Sequence, residues 1–419
     1  MLAFRYSQDS LDAEANVPLR PGFVDFQSQA SFPIVNAYST RPSTRPLDEE
    51  VDRFVREWAL AGVALAVVKN GRLVFAKGYG LADRELKIPT QPYHLFRIAS
   101  VSKLFTAVGI MKLVEADKLR LDDTVFGPKG ILNDPVYQNI ADPLAEKIQV
   151  RHLLNHTGGW RNVLRRDPMF VPVEVAEIMG VPAPPSIETT IQFMLSQTNL
   201  FEPGQLYDYS NFGYCVLGKV VEKITGTSYE TYMQEQVLRP LGITRMRLGK
   251  TRRQDKVAHE SVYYTPANAP QNISCFGTGD STSRAYEGTY MEGLEAAGGW
   301  IASVVDLMRF LVAIDGFPTK PDILSPASIN EMTYTAGDST GHLLLGWKGA
   351  DAEKWWRTGS LAATHITLVR KHNGISYVFV TNTGTWRGPY FSYEIEAMME
   401  RALRRVRSWP LYDLFVLPQ

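Results

Sequence analysis

Two Asn-Gly dipeptides, Asn70-Gly71 and Asn373-Gly374, lie near opposite ends of the chain, and each separates two short runs rich in β-branched and aromatic residues. Asn-Gly is the strongest short signal for a tight hairpin, because both central positions of such a turn take positive φ. The runs are 63–69 and 72–78 on one side and 364–371 and 375–381 on the other, with a further strand at 354–358. Between them, from about residue 124 to 293, the pattern is helical and broken by Pro and Gly. Strands at both ends of a chain with a helical middle imply one antiparallel sheet assembled from the two ends. The expected fold is α/β in the α+β sense. A sheet domain comes from 47–123 and 294–419, an all-helical domain is inserted at 124–293, and 1–46 is an irregular lead-in.

Helical periodicity supplies the cover for that sheet. Residues 47–60 place Val51, Phe54, Val55 and Trp58 on one face, and 303–314 do the same with Val304, Leu307, Phe310 and Leu311. A last helix at 390–407 ends in Arg401, Arg404, Arg405 and Arg407, which read as a solvated face. Lys plus Arg and Asp plus Glu both count 44, so the basic excess that a nucleic-acid or anionic membrane partner asks for is missing. No run approaches the length of a membrane span. The expected partner is a small molecule or peptide, with the oligomeric state open. Cys215 and Cys275 make neither a disulfide framework nor a metal spacing. The first ten residues lack the charged start and apolar middle of a signal peptide, as a cytoplasmic protein would if Met1 is the native start.

The chemistry-bearing stretch is Ser100-Val101-Ser102-Lys103 at the mouth of an apolar helical run, 100–115. Residues three apart share a helix face, so the Ser100 hydroxyl and the Lys103 ammonium point into one space. The N–H groups of a first helical turn have no partner inside the helix. A nucleophile, an activating amine and an oxyanion donor fit such a place. Ser-x-x-Lys alone is a weak pattern, but Tyr209-Ser210-Asn211 follows about a hundred residues later, and Arg357-Thr358-Gly359-Ser360 stands near the end. That order, Ser-x-x-Lys, Tyr-x-Asn and a cation-Thr-Gly box, is the one found in β-lactamases and penicillin-binding proteins.

On these motifs the chain resembles the serine β-lactamase and penicillin-binding-protein superfamily. It is most similar to the class C β-lactamase-related branch of D,D-peptidases, D-amino-acid amidases and carboxylesterases. The likeness runs from about residue 47 to 405 and includes Leu153-Leu154-Asn155-His156-Thr157-Gly158-Gly159, with glycine where the family usually has serine. The resemblance implies a β-lactamase/transpeptidase-like fold with neither metal nor cofactor. It also implies an extracytoplasmic protein whose signal has been removed. It makes Ser100 the nucleophile of an acyl-enzyme and Tyr209 the general base, with Lys103 assisting. Asn211 orients Lys103 and the substrate, and the N–H groups of Ser100 and Ser360 form the oxyanion hole. Gly359 lets substrate lie against the strand edge. Relatives usually carry lysine or histidine at position 357. Arginine there keeps its charge and grips carboxylates in a fork, which favours carboxylate-bearing substrates.

The expected function is hydrolysis of an amide or ester, in a D-alanyl peptide, a β-lactam or a small ester. The alternative is a penicillin-binding receptor or degenerate homologue that acylates without turnover. Each residue alone has a structural reading: Ser100 or Asn211 as a helix cap, Lys103 as an exposed cation, Tyr209 as core. Gly337-Asp338-Ser339-Thr340-Gly341 fits G-x-S-x-G with Asp351 and His365 following in α/β-hydrolase order, but the preceding run is a poor buried strand. His152 and His156 are four apart without the glutamate of a zinc helix and are expected to pack or hydrogen-bond. Tyr207, Trp160, Trp300 and Trp347 are candidates for the cleft lining or for the core.

Overall fold

The computed structural model describes residues 33–160, 166–198, 201–334 and 343–416. The chain enters through helix α1 (Arg45–Glu57) and forms strands β1 (Gly62–Lys69), β2 (Arg72–Asp83), β3 (Ile88–Pro89) and β4 (Phe96–Arg97), then helix α2 (Ser102–Glu115). The middle of the chain contributes α3 (Val150–Leu154), α4 (Pro172–Met179), α5 (Ile187–Leu195), α6 (Asn211–Thr225) and α7 (Tyr229–Met233). Three short strands follow, β5 (Arg247–Leu248), β6 (Asn272–Ile273) and β7 (Ser281–Thr282). Next come α8 (Met291–Gly298), β8 (Trp300–Ala302), α9 (Val304–Leu311) and α10 (Pro326–Thr333). The chain closes with β9 (Gly349–Ala350), β10 (Lys354–Leu361), β11 (Thr364–Lys371), β12 (Ile375–Thr381) and α11 (Phe391–Arg405).

The main sheet has the order β3-β2-β1-β12-β11-β10-β9 with every neighbour antiparallel. The two ends of the chain therefore meet at β1 and β12, where Val63 stands opposite Thr381 and Lys69 opposite Ile375. Both Asn-Gly pairs turn hairpins, with φ of 50° at Asn70, 74° at Gly71 and 80° at Gly374. Side chains alternate across a strand, and β1 shows the result. Val63, Leu65 and Val67 pack under α1 and α11, while Ala64, Ala66 and Val68 face the larger core of α2, α6, α8 and α9. Buried on both faces, β1 carries no polar stripe. On α1, Leu47, Val51, Phe54 and Val55 go inward. The basic end of α11 is tied rather than merely solvated: Arg401 and Arg405 both bind the carboxylate of buried Glu50.

Two expectations need correction. The inserted region is not all helical, since β5 joins β4 and β8 in a three-stranded sheet and β6 pairs with β7. Strands of two or three residues are too short for alternation to show in sequence. The strand at 354–358 runs on to Leu361, and the one at 72–78 runs on to Asp83, with Gly359 and with Gly78 and Gly80 lying inside the strands.

Candidate active site

Ser100 lies in a 3-10 turn, Ala99–Val101, between β4 and α2, so α2 proper begins two residues after the hydroxyl. The preceding Ala99 has φ of +46°, a conformation rare for a residue with a side chain. The turn is clamped on two sides. On one, β4 pairs with β8 and Ile98 N–H donates to Trp300 O at 3.0 Å. On the other, β10 presses against it at Gly359, where an added Cβ would stand 2.6 Å from Ile98 O and 3.0 Å from Ala99 Cβ. Glycine at 359 thus admits the Ser100 turn, and the reading that it makes room for substrate is corrected accordingly. The same contact holds β10 against the turn that carries Ser100.

Lys103 is fully buried. Its Nζ donates to Asn211 Oδ1 at 2.7 Å, to Ala297 O at 2.7 Å and to Ser100 Oγ at 3.3 Å. Those three acceptors take the three protons of an ammonium, so in this arrangement Lys103 gives hydrogen bonds and has no lone pair to offer. Burial lowers its pKa and the nearby Tyr209 oxygen works against that fall.

Tyr209 reaches Ser100 from the loop before α6, its hydroxyl donating to Ser100 Oγ at 2.8 Å. The loop is held at both flanks. Asp208 N–H donates to His156 O at 2.9 Å, Ser210 N–H donates to His156 Nδ1 at 3.2 Å, and the Ser210 hydroxyl caps α6 by accepting from Gly213 N–H at 3.0 Å. Ser210, not Asn211, is therefore the cap. The His156 ring lies 4.3 Å from the Tyr209 ring, and burial, reinforced by Arg357 and Lys103, keeps that imidazole neutral. His152 Nδ1 accepts from Gln149 N–H at 3.1 Å. Both histidines serve the backbone.

Arg357, on β10, is 2% exposed. Its Nε donates to Ser100 O at 2.8 Å and its Nη2 to Tyr209 Oη at 3.1 Å. The fork is turned inward onto the Ser100 turn, which corrects the expectation that it stands open to a substrate carboxylate. Tyr209 sits between this guanidinium and the Lys103 ammonium. Burial alone would raise the phenol, but the two cations overcome it and hold its pKa at about 8. Neighbouring positive charge favours the phenolate.

Asn211 is the first residue of α6, and its amide is oriented by a residue the sequence did not single out. Asp167 Oδ2 accepts from Asn211 N–H at 2.8 Å and from Nδ2 at 3.0 Å, which leaves Oδ1 to face Lys103. In sequence, Asp167-Pro168 signals only a cap, and Asp167 Oδ1 does accept from Met169 N–H at 3.0 Å. Lys348 also has no place in the sequence motifs, and His365 has one only as a partner for Ser339. Lys348 Nζ donates to Thr358 Oγ1 at 3.0 Å. His365 Nδ1 is 3.0 Å from Ser360 Oγ. Neither pairing has a motif, because each joins positions that only sheet geometry makes neighbours.

The competing G-x-S-x-G serine, Ser339, lies outside the described residues. Its proposed partners are committed elsewhere, Asp351 to the N–H groups of Glu353 and Lys354 and His365 to Ser360 and Thr385. Of the aromatic candidates, Trp160, Trp300 and Trp347 are core, while Tyr207 is exposed with its ring edge on His156. No group of three metal-ligating side chains occurs among the described residues, and no helix among them is long and apolar enough to cross a membrane.

A family model described as Beta-lactamase matches residues 47–394. Protein flp of Staphylococcus aureus is 27% identical over 259 residues, 61% of this chain and 48% of that protein. The chain spans about half the length of the curated relatives it matches. Among solved structures, D-amino acid amidase from Ochrobactrum anthropi SV3 superposes with a TM-score of 0.66 at 23% identity, covering 88% of this chain and 99% of its own. EstCE1, a hydrolase with promiscuous acyltransferase activity, gives 0.61 at 21% identity over 87% and 98%. These likenesses bear out the expected architecture of a mixed antiparallel sheet with helices on both faces.

Proposed function

The chain belongs to the beta-lactamase family, and from that premise we propose that it is a serine hydrolase acting through an acyl-enzyme at Ser100 on an amide or ester bond. One observation carries the reading: the 2.8 Å hydrogen bond from Tyr209 to Ser100 inside a pair of cations. A serine hydroxyl needs a base, and the three satisfied protons of Lys103 leave that role to Tyr209. With a pKa of about 8, about a tenth of Tyr209 is phenolate at pH 7, against about a thousandth for an ordinary phenol.

Tyr209 phenolate takes the Ser100 proton as Oγ attacks the carbonyl carbon. The oxygen of the tetrahedral intermediate turns to the N–H groups of Ser100 and Ser360, a donor of this kind being worth about 3 kcal/mol. Tyr209 then gives its proton to the leaving nitrogen or oxygen as that bond breaks. In the second half it draws a proton from water as the water oxygen attacks the acyl carbon, and returns that proton to Ser100 Oγ as the ester bond to the acyl group breaks. Tyr209 and Lys103 are the groups on Ser100 Oγ, and Asp167 is spent on Asn211, so deacylation also falls to Tyr209. D-alanyl peptides, β-lactams and small esters are the substrates to try. The amidase and hydrolase among the structural neighbours support the hydrolytic reading.

Intact mass after exposure to a neutral fluorophosphonate tests the assignment. The native chain and Ser339→Ala take one adduct, and Ser100→Ala takes none. Label kept by Ser100→Ala and lost by Ser339→Ala would transfer the role to Ser339.

A further inference from the structure

The last carbonyls of a helix have no partner inside it, and at the end of α8 two of them go to α2. The helix kinks at Glu295, which has φ of 20° and ψ of -104°, a conformation that stores strain in a residue with a side chain. The fold-back is tight. Gly299 N–H donates to Glu295 O at 2.9 Å, and an added Cβ on Gly299 would stand 2.8 Å from Glu295 N. The next two carbonyls look to α2 instead. Ala296 O accepts from Thr106 Oγ1 at 2.7 Å, and Ala297 O accepts from Lys103 Nζ at 2.7 Å.

Thr106 lies one helical turn after Lys103 on the same face of α2, and its hydroxyl has a single proton to give. Ala296 O is the near acceptor, while Ser102 O is farther, at 3.3 Å. Tyr229, at the start of α7, stands with its Oη 2.7 Å from Thr106 Oγ1. Trp300 Nε1, which can only donate, gives its proton to Tyr229 Oη at 3.0 Å. With the Thr106 proton spent on Ala296 O, the Tyr229 hydroxyl gives its own to Thr106. The order is fixed from end to end: Trp300 to Tyr229, Tyr229 to Thr106, Thr106 to Ala296 O. All three side chains are fully buried, and burial pushes the Tyr229 phenol up, so it keeps its proton at every ordinary pH.

We infer that Thr106, locked by Tyr229 and Trp300, is a positioning residue for Lys103: by holding the Ala296 carbonyl it fixes the adjoining Ala297 carbonyl as an acceptor for the ammonium. Without that acceptor a buried ammonium is left one hydrogen bond short, which is costly, and Lys103 loses its charge or swings toward its other acceptors. Either change withdraws positive charge from the Tyr209 ring, 5.0 Å away, and neighbouring positive charge is what favours the phenolate. Tyr209 is also faced by Arg357 on β10, by Lys348 ahead of β9, and by the uncharged His156, Tyr207 and Tyr214. Lys103 is within electrostatic reach of Asp167, ahead of α4, and of Cys215 on α6. Changes at Thr106 and Tyr229 leave all of these in place. The inference rests on the acyl-enzyme reading for its effect on rate but not for its effect on Tyr209.

Tyrosine isotopically labelled at Cζ and followed by carbon NMR reports the Tyr209 phenol directly, its signal assigned by its loss in Tyr209→Phe. In the native chain it is expected to ionise at about 8. Thr106→Val keeps the shape and removes the donor. There the midpoint moves up toward the ordinary phenol near 10, and kcat/KM on a small ester at pH 7 falls about five- to thirtyfold and recovers at high pH. Thr106→Ser, which keeps the hydroxyl, stays close to the native midpoint. Tyr229→Phe, with Thr106 still able to reach Ala296 O, moves it the same way by a smaller step. A merely structural role would lower the melting temperature and leave the phenol where it was. A midpoint unmoved in folded Thr106→Val, or moved as far in Thr106→Ser, overturns the inference. Should Thr106→Val not fold, a midpoint unmoved in Tyr229→Phe does so. A chain whose Tyr209 shifts as expected but whose Ser100 takes no label would sink the hydrolase reading and keep the positioning role.

Discussion

The inner wall of the candidate site, the residues hydrogen-bonded around Ser100, and its outer rim at the β10 edge are made of similar residues used in opposite ways. On the wall, Lys103 spends three protons, Arg357 spends Nε and Nη2, and the Asn211 amide is bound at both ends. On the rim, Lys348 has protons to spare, the Thr358 and Ser360 hydroxyls each accept from a neighbour and can donate outward, and Tyr207 is exposed. Saturation fixes the wall and sets its charges before any ligand arrives, which is how a site prepares for proton transfer without reorganising. Spare donors leave the rim dependent on what binds. Wall substitutions should therefore change chemistry, and rim substitutions should change which substrate is taken.

The largest effect that tests this division is at Tyr209. Replacing it with Phe keeps the ring against His156 and removes only the oxygen that bridges Arg357 and Ser100. The expected loss in kcat is about 10²–10⁴-fold on amide and ester substrates alike. Stopped-flow acylation with one of each measures it. A rise in KM with kcat unchanged would move Tyr209 to the rim and break the comparison.

The division also tracks what the sequence reveals. The wall is readable because its residues lie within local patterns. Ser100 and Lys103 share one helical turn, Tyr209 and Asn211 flank a cap, and Arg357 to Ser360 are consecutive. The sheet was readable for the same reason, two Asn-Gly turns marking hairpins whose buried strands had to pair. The rim is not readable this way. Lys348 meets Thr358 only because β9 folds back on β10, and His365 meets Ser360 only through the register of β10 and β11. One wall contact escaped for the same reason, since Asp167 meets Asn211 from 44 positions away. The short strands β4, β5 and β8 escaped for want of length, although β4 leads into the Ser100 turn. Arg357 was found but misread, since sequence gives a residue's charge and not the direction in which its guanidinium points.

A smaller effect on the wall should appear as a shift in pH dependence. If the Tyr209 phenolate is the active form, kcat/KM rises with pH through an inflection near 8. Arg357→Gln removes one of the two cations that hold the phenol down. The inflection should then move up toward the unperturbed phenol near 10, so activity at pH 7 falls while activity at high pH recovers. Arg357→Lys, which keeps the charge, should leave the inflection close to 8. If Arg357→Gln lowers the rate equally at every pH, the arginine serves only to hold the Ser100 carbonyl, and the wall's electrostatics would have to be assigned to Lys103.

The smallest effect belongs to the rim, at His365. Thr385 N–H donates to His365 Nε2 at 3.2 Å, so that nitrogen is the acceptor and Nδ1 carries the proton. Nδ1–H therefore donates to Ser360 Oγ, 3.0 Å away, and His365 cannot act as a base toward it. Burial holds this imidazole's pKa at about 4, so its charge is constant across ordinary assay pH and it adds no inflection between 5 and 8. What it does is occupy one lone pair of Ser360 and leave the hydroxyl proton for substrate. His365→Leu frees that rotor, and KM should rise by about two- to fivefold, the range of one weakened neutral hydrogen bond, with kcat nearly unchanged. His365→Asn can return an N–H to the same oxygen and should restore most of the loss. A fall in kcat without a change in KM, unrescued by asparagine, would place His365 and Ser360 with the saturated wall and erase the boundary at that point.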